Sequence, residues 1–269
     1  MRTMVSAVVI TKNEEKNLPG CLESLRWVDE LIVVDSESTD RTVEIAREFM
    51  GQVFVRPWCG FPSQRNFGIE KSSGNWIIIL DADERFLPQT RDEILAWLGS
   101  EEAKECVAGF FPRRNFVFGK WLRYGGIFPD LQCRLLRKGK VTYDENSLDT
   151  PLIHGPRKVF CNPVDHFTGD HVGGRVRKVV RQSQFKAQEK LSKRRRVRWS
   201  DIMFRPIMAF VKMYLLKQGF RDGIEGFIYA TLSSLHTFLC YAKMWEILSQ
   251  ESLNAEMQGC RKYPSRDVS

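Results

Sequence analysis

The runs "SAVVI", "ELIVVD", "QVFVRP" and "NWIIIL", at residues 6–10, 30–35, 52–57 and 75–80, are short and β-rich, and longer polar segments separate them. This alternation constrains the fold more than any other feature, because strands that recur after helix-length segments build βαβ units around a mostly parallel sheet. Helical signals fill the gaps. Leu18, Leu22 and Leu25 recur at helical spacing within 14–25. Ser38, Thr39 and Asp40 can cap a helix whose Val43, Ile45, Ala46 and Phe49 form a buried face. "FPSQRNFGIEKSSG" is expected to be a helix ending at Gly74, and "NWIIIL" a strand buried on both faces. Another helix is expected over 89–98.

The character then changes. "VAGFFPRRNFVFGKWLRYGG" and "DLQCRLLRKGKVTYDE" read as aromatic, arginine-rich strands and loops. From about residue 175 the chain is strongly basic and helical. We therefore expect a domain over 1–174, with halves at about 1–100 and 101–174, and a basic helical region over 175–269.

Composition narrows the classes. With 269 residues, 43% hydrophobic and 28% charged, the chain can bury a sizeable core and is not disordered. Lys and Arg outnumber Asp and Glu by 41 to 33, giving a net charge of +8, so an anionic partner is expected: phosphates, nucleic acid or a membrane surface. The seven cysteines are scattered without a CxxC pair, which argues against a disulfide framework or zinc site. The first apolar run is interrupted at once by polar residues, so no secretory signal is read and a cytoplasmic location is expected.

The strand "NWIIIL" ends in "DADE". Asp81 and Asp83, spaced i and i+2 past a strand end, can reach one divalent cation, which can in turn grip a diphosphate. Asp-x-Asp also makes an ordinary polar turn. The ends of the first two strands add Thr11, Asn13 and Glu14, then Asp35. Three strand ends thus deliver acid or amide groups to one sheet edge, where ligands bind in open α/β folds.

The segments "VVITKNEEKNLPGCLESL", "ELIVVDSESTDRTVEIA", "RNFGIEKSSGNWIIILDADE" and "GGIFPDLQCRLLRKG" together resemble glycosyltransferase family 2. Within it, the chain is most similar to lipopolysaccharide core enzymes that add glucose to heptose, and "RPIMAFVKMYLLKQGFRDGIEGFIYA" extends the likeness. The resemblance implies a GT-A fold: a Rossmann-like, mostly parallel sheet flanked by helices. It implies metal-assisted, inverting transfer of glucose or another hexose from a UDP-sugar to a saccharide hydroxyl on lipopolysaccharide core or another lipid-linked glycan.

Roles follow position by position. Asp83 resembles the direct ligand of Mg²⁺ or Mn²⁺, and Asp81 lies nearer the ribose or a metal-bound water. Asp35 resembles the acid that binds uracil. Thr11, Asn13 and Glu14 match a nucleotide-contacting loop, and Arg65 a basic position near the nucleotide. Asn13 and Glu14 could also cap a helix, and Arg65 could lie on a solvated helix face. Asp130, followed by Arg134, is the first choice of general base and Glu145 the alternative; the chain has Asp144 where related enzymes often have His. His154, His166 and His171 are further metal or acceptor candidates.

The C-terminal half sets cationic runs beside apolar ones too short or too polar to span a bilayer. That composition suits peripheral attachment to the anionic inner face of the cytoplasmic membrane. Two other functions fit less well. A nucleic-acid-binding protein using "SKRRRVRW" would leave the strand-end carboxylates without a purpose, so no nucleic acid is expected. A sugar nucleotidyltransferase needs a basic, glycine-rich first loop, whereas "ITKNEEKNLPG" is acidic.

Overall fold

The computed structural model describes residues 3–49, 51–145, 150–168, 171–193 and 196–260. By contacts the chain forms two units, Met1–Trp121 with Ile127–Thr168, and Leu122–Gly126 with Gly169–Ser269. The division falls a few residues before the expected 174, and a short loop crosses to the second unit.

In the first unit, strands β1 (Val5–Thr11), β2 (Glu30–Asp35), β3 (Gln52–Val55) and β4 (Trp76–Asp81) alternate with helices α1 (Leu18–Ser24), α2 (Thr42–Glu48) and α3 (Phe61–Lys71). Next come β5 (Glu84–Phe86), α4 (Pro88–Leu98), α5 (Glu102–Glu105), β6 (Ala108–Val117), β7 (Lys120–Trp121) and β8 (Asp130–Arg137). β9 (Val141–Tyr143), β10 (Pro151–Ile153), β11 (Arg157–Val159) and β12 (Val164–Thr168) complete the unit.

The main sheet runs β3-β2-β1-β4-β8-β6-β12-β5. β1 through β4 are mutually parallel, as the βαβ alternation predicts. Beyond β4 the sheet is mixed, because β8 runs antiparallel to both β4 and β6. β1 is buried along its whole length and β4 to its last residue, which explains their unbroken apolar runs. α3 lies close over β1 and β2: a Cβ on Gly68 would collide with Val8 and crowd Val34.

Register decides which strand-end side chains can meet. Thr11 pairs with Asp35, and Ile10 with Asp81, so the carboxyl ends of β1, β2 and β4 finish level along one edge.

The second unit contains α6 (Val172–Lys193), α7 (Trp199–Val211), a π turn over Lys212–Leu216, a 3₁₀ turn over Gly219–Asp222 and α8 (Gly223–Cys260). Val172–Gly174, expected to close the first domain, instead begin α6. Ala187, Cys240, Tyr241 and Met244 form its small core. Buried Asp222 draws in the crossing loop by accepting the amides of Arg123 and Tyr124 at 3.2 and 2.8 Å. Among the described residues, no helix is long and apolar enough to cross a membrane.

Candidate active site

The sheet edge gathers four carboxylates and three guanidiniums of the first unit. Arg65, on α3, donates from Nη2 to Asp81 Oδ1 at 2.8 Å, and Arg134, on β8, donates to Asp81 Oδ2 at 3.1 Å. Arg134 also reaches Glu84 Oε1 at 2.7 Å, and Arg113 on β6 reaches the same oxygen at 3.1 Å. Arg65, Arg134 and Glu84 are all buried. Burial opposes the charge on Asp81, but Arg65 and then Arg134 outweigh it and hold the carboxyl well below the usual range. Burial likewise opposes the Arg134 charge, and Glu84 and Asp81 reverse that effect. The crowding in "DADE" is thus resolved largely by arginines. Arg65 has no solvated helix face here, and Asp81 is a structural anchor before it is anything else.

Asp83 differs. Among the described residues it has no guanidinium partner; its Oδ2 faces Nε2 of His166 at 3.3 Å. The strand pairings bring this about, since β12 sets His166 between Glu84 of β5 and Asn115 of β6. His166 Nδ1 lies 2.7 Å from Asn115 Oδ1, and Asn115 Nδ2 donates to Asp130 Oδ2 at 3.2 Å. Ionised Asp130 only accepts, so the amide nitrogen of Asn115 must face it and the amide oxygen must face His166. Nδ1 of His166 therefore carries the hydrogen. Nε2 then faces a carboxylate oxygen of Asp83: a protonated ring donates to it as an ion pair, and a neutral ring sets a lone pair beside it. In the neutral arrangement, an imidazole nitrogen with a carboxylate oxygen is a donor set that suits a divalent ion. Among the described residues no three His, Cys, Asp or Glu side chains are grouped to hold a metal, so these two would need further ligands from substrate or water.

Asp130 opens β8 opposite Arg113. Its Oδ2 accepts from Arg113 at 3.0 and 2.7 Å, while among the described residues Oδ1 accepts only from Gln132 at 2.8 Å. Burial raises the Asp130 pKa, but Arg113, helped by Gln132 and Asn115, outweighs it and holds the carboxyl below its ordinary value.

The other expected residues fall into two groups. Thr11 is buried at the same edge, and its Oγ1 has no hydrogen-bond partner among the described residues. Asp35 is buried, with both oxygens closed on Ser38, accepting its amide at 2.8 Å and its hydroxyl at 2.5 Å. A base contact would require that loop to open or share its acceptors. Asn13 accepts the Thr39 amide at 2.8 Å, and Glu14 accepts from Asn17 Nδ2 at 2.8 Å, so both brace the first loop. Glu145 is exposed, and residues 146–149 beside it lie outside the described residues. His154 and His171 are exposed and make no described side-chain hydrogen bond; of the three histidines, His166 alone meets the "DADE" turn.

Arg113 and Asn115 join the site without having been expected there. They alternate on one face of "FFPRRNFVF", so the period-two pattern of a strand with polar residues inside an apolar run was the signal.

A model of the family described as Glycosyl transferase family 2 matches residues 6–166. The chain is 28% identical to the lipopolysaccharide core biosynthesis glycosyltransferase LpsC of Rhizobium meliloti (strain 1021), over 90% of this chain and 92% of the relative. An uncharacterized glycosyltransferase of Rickettsia typhi is 27% identical over 93% and 89% of the respective chains. Among solved structures, S. aureus TarS has a TM-score of 0.45 at 15% identity, covering 90% of this chain and 91% of that one. Glucosyl-3-phosphoglycerate synthase from Mycobacterium tuberculosis, solved with Mn²⁺ and UDP-glucose, has a TM-score of 0.34 at 24% identity, covering 43% and 44%.

Proposed function

This chain belongs to glycosyltransferase family 2, and we propose that it transfers a hexose, with glucose the first candidate, from a UDP-sugar to a hydroxyl of a lipopolysaccharide-core or other lipid-linked saccharide. The acceptor is presented at the anionic inner face of the cytoplasmic membrane. The observation that carries the reading is the Asp83–His166 pair, a carboxylate oxygen and an imidazole nitrogen 3.3 Å apart beside the level ends of the parallel strands.

Asp83 and His166 would hold a Mg²⁺ or Mn²⁺ ion. Imidazole nitrogen favours Mn²⁺, because Mg²⁺ prefers an all-oxygen shell. When bound, the ion supplies positive charge against the charge that develops on the departing diphosphate. Arg65 and Arg134 fix Asp81 at the end of β4, leaving its outer edge to meet the ribose. Thr11 Oγ1 supplies a polar group in need of a partner at the same edge. Asp35, Asn13 and Glu14 shape the loops against which the base is set.

Asp130 is the proposed general base. It accepts the proton of the acceptor hydroxyl on Oδ1, the less occupied oxygen, while the hydroxyl oxygen attacks the anomeric carbon opposite the diphosphate. The bond from that carbon to the phosphate oxygen breaks, its electron pair leaves with UDP, and the configuration inverts. Glu145 is the alternative base.

The test is UDP release from a panel of UDP-hexoses, with Mn²⁺ or EDTA, in the presence and absence of core oligosaccharide. Release that requires metal and rises with acceptor is expected. Release from no nucleotide sugar, or release indifferent to EDTA, overturns the proposal.

A further inference from the structure

The second unit exposes large apolar side chains that its own core leaves uncovered. On α7 these are Trp199, Met203, Phe204, Ile207 and Met208, with Trp199 71% exposed. Their spacing places them along one side of the helix. Asp201 and Pro206 are buried on the other, and Ile202 packs on the core of Cys240, Tyr241 and Met244. Leu215 and Leu216 of the π turn, Phe220 of the 3₁₀ turn and Ile224 of α8 continue the exposure, with Leu216 at 71%. These elements are packed together: the Phe210 ring meets Tyr214 at 5.2 Å and Phe227 at 5.7 Å, and Tyr214 meets Phe220 at 6.3 Å. The apolar surface is therefore built on a braced scaffold.

The charge around it has one sign. Between residues 196 and 224 the cations are Arg196, Arg198, Arg205, Lys212, Lys217 and Arg221, all exposed. The acids in that stretch, Asp201 and Asp222, are both buried. Asp201 is committed to Arg205 at 2.6 Å, and Asp222 to the amides of Arg123 and Tyr124. The next acid along the chain, Glu225, is half-buried. From 196 to 224, then, every exposed charge is positive.

We propose that α7 with the two turns that follow it docks in the plane of an anionic lipid bilayer, its apolar side chains entering the acyl boundary and its cations meeting headgroup phosphates. An apolar strip flanked by cations complements a layer that is anionic outside and apolar within. A second copy of the chain is a poorer occupant, because a two-fold interface through this patch would set its cations against one another. The surface would serve the lipid-linked acceptor proposed above. Its test is independent of that reading, since lipid binding is measured with no sugar present.

The test is co-sedimentation of the full chain with phosphatidylcholine vesicles, with and without phosphatidylglycerol, at low and high salt. Binding is expected to require phosphatidylglycerol and to weaken with salt. Phe204→Ser and Leu216→Ser are each expected to weaken it roughly tenfold. Because both side chains are exposed, the fold should survive, which circular dichroism checks. On otherwise wild-type protein, brominated lipid should quench a component of the tryptophan emission that Trp199→Phe removes. Failure to bind phosphatidylglycerol vesicles overturns the proposal, as does binding unchanged by both serine substitutions. A concentration-dependent dimer that the same substitutions dissolve, without lipid binding, would instead assign the face to a second copy.

Discussion

Asn115 shows how one uncharged residue sets how two titratable neighbours are presented. Its amide must donate to Asp130, so its oxygen must accept from His166, and the remaining imidazole nitrogen is left facing Asp83. Asp130 shows the opposite constraint, since Arg113 holds its carboxyl below the ordinary range. A depressed pKa keeps a base unprotonated down to unusually acid pH, and its function is lost as pH falls through that lowered value. Arg113→Gln should therefore move the acid limb of the kcat profile to higher pH, as a pH-rate series would show. Asp130→Asn should lower kcat roughly 10²- to 10⁴-fold, whereas Glu145→Gln should change it far less. An acid limb that stays in place in Arg113→Gln would remove Asp130 from the base role. At this scale the position of the strand-end acids was legible in the sequence, because "IIILDADE" ends a strand beside two others that also end in acid or amide groups. Arg113 and Asn115 were not, because their meaning depends on β8 and β12, strands distant in sequence that only the folded sheet sets beside β6.

The β4–β5 turn illustrates how an element is held by charge. Asp81 ends β4 and is tied to α3 through Arg65 and to β8 through Arg134, with both guanidiniums buried. Removing one partner of such a pair leaves buried charge uncompensated and typically costs about 3–5 kcal/mol. Asp81→Ala should fall in that range by chemical denaturation, toward its lower end because Glu84 still pairs Arg134. Asp83→Ala should lie within about 1 kcal/mol of wild type, as its removal strands no arginine. Equal stabilities for the two variants would contradict this division between anchor and ligand. The elements themselves were mostly legible: the second strand falls on 30–35 as expected, and the fourth begins and ends within a residue of expectation. The first helix begins at Leu18 rather than near 14, because Glu14 and its neighbours make a turn whose carbonyl at Glu14 accepts the amides of Asn17 and Leu18. The antiparallel insertion of β8 was not legible, since strand composition carries no address for its partner.

For the whole molecule, the alternation of the first hundred residues fixes a parallel half-sheet, and the later aromatic strands extend it into a mixed one. The net charge of +8 is distributed unevenly by function. In the first unit arginines are drawn inward to neutralise carboxylates at the strand ends. In the second they stand outward around an apolar face. The central claim is that Asp83 and His166 hold a divalent ion for a uridine diphosphate. Isothermal titration of the purified chain with UDP, in Mn²⁺ and in EDTA, beside Asp83→Ala, tests it most directly. The predicted result is Mn²⁺-dependent binding that Asp83→Ala weakens by more than about tenfold while remaining folded. Wild-type protein that ignores UDP under both conditions, or an Asp83→Ala variant that binds as tightly with Mn²⁺, would contradict it.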